Sequence, residues 1–151
     1  MKKRIIILPL LLIVIAALPI FAAKENYSTE RWHSFGASGA IVLASEDNKD
    51  DSRFYGLIVE RSGTKRNIRI SVKDIHAMPG DFIRWETDKE MGSIANKGTM
   101  VIRTDPDDIK LNQRLLDLIK SGEWIQFENV KTGSIAKYKL TGALKAISSI
   151  K

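Results

Sequence analysis

Apolar and polar residues alternate with a period of two through most of this chain, and no other feature restricts the fold as much. In "NIRISVK", Ile68, Ile70 and Val72 alternate strictly with polar residues. In "EWIQFENV", Ile125 and Phe127 share one face, while Trp124, Gln126 and Glu128 share the other. Successive side chains of a strand point to opposite sides, so this is the pattern of half-buried β-strands. "RFYGLIVE" sets Tyr55, Leu57 and Val59 against Phe54, Gly56 and Ile58, and the Gly-containing "RSGTKR" between it and "NIRISVK" predicts a hairpin. "GAIVLAS" is a short continuous apolar run, the pattern of a strand buried on both faces. "FIRWET" and "TMVIRT" predict further strands, and "IAKYKLT" returns from the turn "KTGS" with Ala136, Tyr138 and Leu140 on one face. "EDNKDDS", "MPGD" and "EMGSIANKG" have the composition of turns and loops.

Helical spacing is confined to two places. Leu111, Leu115, Leu118 and Ile119 recur at that spacing after the Asp105-Pro106 break, and Gly122 stands where a helix would stop. "GALKAISSI" ends the sequence with Leu144, Ile147 and Ile150 at similar spacing, as a cap over the open end of a sheet. The expected fold is therefore mainly β: an antiparallel β-sandwich of about six or seven strands, with one interior short helix and a C-terminal capping helix.

The N-terminus carries different information. Lys2, Lys3 and Arg4 precede "IIILPLLLIVIAALPIFAA", a charge-free run of 19 residues from Ile5 to Ala23. A positive flank, an apolar core and small residues at its end are the layout of an export signal. The run approaches the roughly 20 residues that span a bilayer, so an uncleaved anchor is the alternative. Pro9 and Pro19 favour a processed peptide, because each removes a helical hydrogen bond. The expected organisation is a signal at 1–23, a polar lead-in at 24–30 and one sandwich domain over 31–151, destined for the periplasm or the exterior. A membrane association is expected only where the signal is kept.

Without the three basic residues of the signal, 21 lysines and arginines face 18 acidic residues, and the formal charge falls from +6 to +3. Nucleic acid is not an expected partner, since its binding needs a clustered basic face. There is no cysteine, which excludes disulfides, thiolate metal sites and a lipid-anchored cysteine at the end of the signal. The domain must be held by its core alone.

No set of residues forms a convincing catalytic centre, and no metal or cofactor is expected. "GASGA" approaches the nucleophile-elbow pattern, but its last glycine is replaced by Ala40 and a strand follows it. A hydrolase would need Ser38 with His76 and an acid near Asp47, and a small-residue strand start is the better account. His33 and His76 are the only histidines and lie outside any metal-binding spacing. "EDNKDD" fails the calcium-loop pattern at Lys49 and Ser52. Asp105 and Asp107 in "DPDD" fit turn and helix-start chemistry, in which carboxylates accept backbone N–H groups. The binding candidates are Trp124 with Gln126, where an outward aromatic on a sheet could hold a protein or a glycan, and Lys65 with Arg66 in the hairpin loop. For Trp124 the favoured account is packing beneath a terminal helix, and for Lys65 and Arg66 it is solvated hairpin charge.

Residues 115–147, "LLDLIKSGEWIQFENVKTGSIAKYKLTGALKAI", run from a helix ending in Lys-x-Gly through two strands to Leu140, Gly142, Ala143 and Leu144. This order resembles the C-terminal part of the invasion-associated locus B family of small exported bacterial proteins, and the early Arg31-Trp32 agrees in placement. Family members typically carry cysteines and this chain has none. The resemblance implies a periplasmic or envelope β-sandwich without catalytic activity, linked to host association or envelope maintenance, and it transfers no catalytic residue. The expected function is binding of a protein or envelope component. A periplasmic immunity or hydrolase-inhibitor protein, acting through "EDNKDD" or "EMGSIANKG", is the alternative, and a small serine hydrolase the remote one.

Overall fold

The computed structural model describes residues 25–28, 32–35, 40–43, 56–62 and 67–148. Within them lie β1 (Glu25–Ser28), β2 (Trp32–Phe35), β3 (Ala40–Leu43), β4 (Leu57–Ser62), β5 (Asn67–Val72), β6 (Phe82–Thr87), β7 (Met91–Ala95), β8 (Ile102–Arg103), α1 (Ile109–Ser121), β9 (Trp124–Asn129), β10 (Ser134–Lys139) and α2 (Ala143–Ser148). The strands form two antiparallel sheets, in the orders β1-β2-β3-β4-β5-β8 and β10-β9-β6-β7. One core cluster takes side chains from both sheets and both helices. The mainly β, sandwich-like class read from the alternation is the observed one, with a helix at the C-terminal end. β4, β5, β6, β7, β9 and β10 are five or six residues long, and the other strands are shorter.

Cross-strand register explains why the alternating residues are apolar. In the first sheet Trp32, Leu43, Leu57, Val72 and Ile102 lie in one row across five strands. Trp32, Leu57, Val72 and Ile102 are buried. In the second sheet Ala136, Phe127, Trp85 and Gly92 form one row, and Tyr138, Ile125 and Thr87 the next. The row ending in Gly92 requires glycine, because a Cβ there would stand 2.4 Å from the Trp85 ring. The Trp85 Nε1 is buried without a hydrogen-bond partner, so this residue serves through its apolar area.

Three segments depart from the sequence reading. "EMGSIANKG", expected as a loop, contains β7, whose Ile94 is buried in the core. The residues that suggested a loop do other work: Gly92 makes room for Trp85, and Asn96 organises the following turn. The Asn96 amide donates to the carbonyls of Met78, Gly98 and Val101 at 2.9–3.0 Å, and its Oδ1 accepts from Gly98 N and Arg103 N. That clamp consumes most of "TMVIRT", leaving only Ile102–Arg103 to pair as β8. Residues 24–30, expected as a lead-in, include β1, which pairs with β2. The signal (residues 1–23), Lys65 and Arg66 of the hairpin loop, Ser38, and Asp47 with the rest of "EDNKDD" lie outside the described residues.

α1 begins where Asp108 Oδ1 accepts from Leu111 N at 3.1 Å. Asp105 makes the preceding turn by accepting from Asp107 N. Thus Asp108 is the cap, one residue after the position suggested by the sequence. Leu115, Leu116, Leu118 and Ile119 are buried, and Leu111 packs against them half-buried. Gly122 ends the helix with its N–H on Leu118 O at 2.7 Å. A Cβ there would meet the same carbonyl at 2.8 Å and Asp88 Oδ1 at 2.9 Å, so space rather than a left-handed φ requires this glycine. α2 turns Ile147 inward as expected, but not Leu144. Ala143, Ala146 and Ile147 are buried and Leu144 is 58% exposed, while Ile150 lies outside the described residues. The turn into α2 uses Gly142 at φ +86°, and the Trp32 indole N–H donates to Thr141 O at 3.0 Å.

Two further polar contacts close the ends of the sandwich. Tyr138 Oη donates to Asp74 Oδ2 at 2.5 Å, and burial followed by that carboxylate pushes the phenol far above its ordinary pKa. Asp81 accepts from Met78 N at 2.9 Å and Asn129 Nδ2 at 3.1 Å, with Lys131 Nζ at 3.5 Å. The Met78 N–H above all, then the Asn129 amide, hold its carboxyl below the usual aspartate range.

Two expected outcomes test this account. Asn96→Ala leaves buried backbone groups unpaired, which costs about 3 kcal/mol, whereas Leu144→Ala changes stability by less than about 0.5 kcal/mol; denaturant titration of both separates a clamp from an exposed leucine. Because the Asp81 pKa is depressed on folding, its stabilisation is complete above the ordinary aspartate value and is lost as the pH falls below about 4. Asp81→Asn should therefore lower stability at neutral pH and flatten the acid limb of a melting-temperature profile.

Candidate functional site on the outer face of the second sheet

The alternation that turns Ile125 and Phe127 inward turns Trp124, Gln126 and Glu128 outward, where all three are half-buried. Their neighbours follow from register. Ile135, Glu128, Arg84 and Ser93 form one row; Lys137, Gln126, Glu86 and Met91 form the next; Lys139 stands beside Trp124. Arg84 and Glu128 pair across the strands, neutralising that row. Lys137 reaches diagonally to place Nζ 3.8 Å from the centroid of the Trp124 ring. An ammonium over an indole face is attracted by the ring quadrupole, which orients both side chains at about 0.5–1 kcal/mol for an exposed pair.

Beside this pair is an open depression of about 520 Å³ lined by Gly122, Glu123, Trp124, Lys137, Lys139 and Thr141. A flat aromatic body, two lysines and the polar groups of Glu123 and Thr141 can hold a partner by stacking, charge and hydrogen bonding. A larger depression on α1 has Glu90 and Arg114, which pair with each other, among its lining residues.

Among the described residues no group of three or more His, Asp or Glu is placed to hold a metal ion. His76 is exposed in the β5–β6 connection, and its carbonyl accepts from Asn129 Nδ2. Ser38 and Asp47 lie outside the described residues, as does the His33 side chain. "EMGSIANKG", the inhibitor loop considered from sequence, is strand β7 and a turn pinned by Asn96. Trp124 is half-buried with Lys137 over its ring, and the tryptophan seen at the turn into α2 is Trp32, which is buried. Trp124 and Gln126, two residues apart on β9, share the outer face, and Lys137 and Lys139 stand beside them on β10. The sequence held the signal for both lysines: if Ala136, Tyr138 and Leu140 face inward, residues 137 and 139 must face outward.

No family model matches the chain, and no curated protein or solved structure does.

Iodide should quench the fluorescence of Trp124 alone, since Trp32 and Trp85 are buried. Trp124→Phe removes the quenchable fraction, and Lys137→Gln reduces it by removing the cation that attracts iodide to the ring; Stern–Volmer plots of the three proteins make the measurement.

Proposed function

We propose that this is an exported bacterial envelope protein that binds a protein or envelope component and performs no chemistry of its own. The half-buried Trp124, held by Lys137 beside an open depression, is the observation that carries this reading. An aromatic that the core does not need, fixed in orientation on a rigid sheet, presents area for association with little rotamer entropy left to lose. The charge-free run from Ile5 to Ala23 behind three basic residues supports export. The resemblance of residues 115–147 to the invasion-associated locus B family supports the envelope and a role in host association.

The test is cross-linking and capture of a C-terminally tagged chain from its native envelope, in the wild type and in Trp124→Ala, with mass spectrometry of the captured material and of the N-terminus. A stoichiometric partner on the wild type, weakened about thirtyfold by loss of the ring, is expected. The chain should begin near Lys24. Equal recovery by the two proteins would remove Trp124 from the binding surface, and a chain retaining its first 23 residues would make the domain membrane-tethered.

A further inference from the structure

Five of the eight large apolar side chains exposed among the described residues lie at one end of the sandwich. Phe82 opens β6, Val130 follows β9 and Ile135 is the second residue of β10, while Met78 and Met100 stand in the β5–β6 and β7–β8 connections. Antiparallel pairing brings them to the same end, and hydrogen bonds tie the connections to one another. Val130 N donates to Phe82 O at 3.1 Å, Gly80 N to Asn96 O at 2.8 Å, and the Asn96 amide to both Met78 O and Val101 O at 3.0 Å. One exposed leucine needs no account, but apolar side chains gathered at one place mark a contact surface.

Met100 adds a second observation. Among the described residues it is the one non-glycine at positive φ, +66°, and its side chain is 60% exposed. Glycine or asparagine takes that conformation with less strain. The core gains nothing from this methionine, so its side chain serves a contact outside the fold.

Two features select a lipid surface over a protein as the occupant. The backbone of these turns is satisfied from within: Asn96 takes five groups, Asp81 takes Met78 N, and Asn129 Oδ1 takes Lys131 N. Paired groups can leave bulk water, which is what lipid demands of any segment that enters it. A protein interface favours tryptophan, tyrosine or arginine anchors, and none of the five is one of these. Charge is the second feature. The side chains of Lys97 and Lys131, 58% and 73% exposed, flank the cluster, with carboxylate oxygens of Asp105 at 3.9 Å and Asp81 at 3.5 Å. Exposed pairs at such distances hold loosely, so both ammonium groups can swing to headgroup phosphates. The acidic side chains of the three connections are Asp74 and Asp81, and both already accept hydrogen bonds.

We propose that this end of the domain docks on the surface of an anionic phospholipid bilayer. Met78, Phe82, Met100, Val130 and Ile135 enter the boundary between headgroups and acyl chains, and Lys97 and Lys131 meet the phosphates. The contact belongs to the domain itself and does not depend on a retained signal. Trp124 begins β9 and Val130 follows its last residue, so this surface and the depression beside Trp124 stand at opposite ends of the sheet.

The chain has no cysteine, so Met100→Cys can carry a single nitrobenzoxadiazole label, with Met91→Cys, exposed at the far end of β7, as the control. The protein keeps the N-terminus it carries when purified from its envelope. On vesicles of mixed phosphatidylglycerol and phosphatidylcholine the Met100 label should brighten and shift to the blue, and the Met91 label should not. Added salt should weaken the response. Val130→Ser with Ile135→Ser should raise the lipid concentration needed about tenfold; Leu144→Ser, equally exposed on α2, should leave it unchanged. With the label moved to Val130→Cys, Met100→Asn should weaken the response while the melting temperature stays level or rises. A Met100 label that stays in water, an equal response from the Met91 label, an equal shift on phosphatidylcholine alone, or full response by the double serine variant each overturns the proposal. A retained signal would tether the chain to vesicles without moving the Met100 label. Capture of a partner through Trp124 is untouched by any of these results, so the binding role above stands or falls on its own test.

Discussion

A sandwich without disulfides depends on satisfying the backbone groups of its own irregular connections, because each one buried unpaired subtracts from a net stability of only a few kcal/mol. Side-chain amides carry that task here. Asn96 occupies five backbone groups around the β7–β8 turn. Asn129 donates to His76 O and to Asp81 while its Oδ1 accepts from Lys131 N. Asn112 donates to Asp105 O and accepts from Thr104, whose hydroxyl oxygen in turn accepts from Ile70 N. These clamps sit where strands end, so the apolar rows between them can be filled by shape alone. The Trp32 N–H on Thr141 O applies the same device across 109 residues, tying an early strand to the closing helix.

What could be read in the sequence was what period two encodes. β4, β5, β6, β9 and β10 announce themselves by alternation, and α1 by its leucines. What could not be read was decided by a partner distant in sequence. Gly92 looks like a loop residue until the Trp85 ring is laid across it. Nothing local distinguishes Asn96 as a buried clamp from Asn96 as a turn residue. The helical spacing in α2 was visible, but its phase depended on whether Ala143 or Leu144 faces Trp32. Once Gly142 sets the entry at φ +86°, the alanines are inside and the leucine outside.

The candidate site was half legible for a related reason. Gln126 and Trp124 could be assigned to an outer face, but whether an outward tryptophan is covered depends on where the helices lie. α1 packs on β5 and α2 lies against β2 and α1, so among the described residues the main helix contacts are with the first sheet. The terminal helix that might have covered Trp124 is held at Trp32 instead.

This separation bears on how such a domain can acquire a partner. Within β10 the inward set, Ala136 and Tyr138 with Leu140 beyond, meets the core, and the outward set, Ile135, Lys137 and Lys139, contributes almost nothing to it. Because strand side chains alternate strictly, the outward set can change without creating a cavity or burying a charge, whereas a one-residue slip would invert both sets at once. Register is held from the inner face, by Tyr138 on Asp74 and by Leu140 N on Glu123 O. The outer face is thus free to vary in charge without disturbing the core, and lysines on an outer strand oppose its pairing with a second copy.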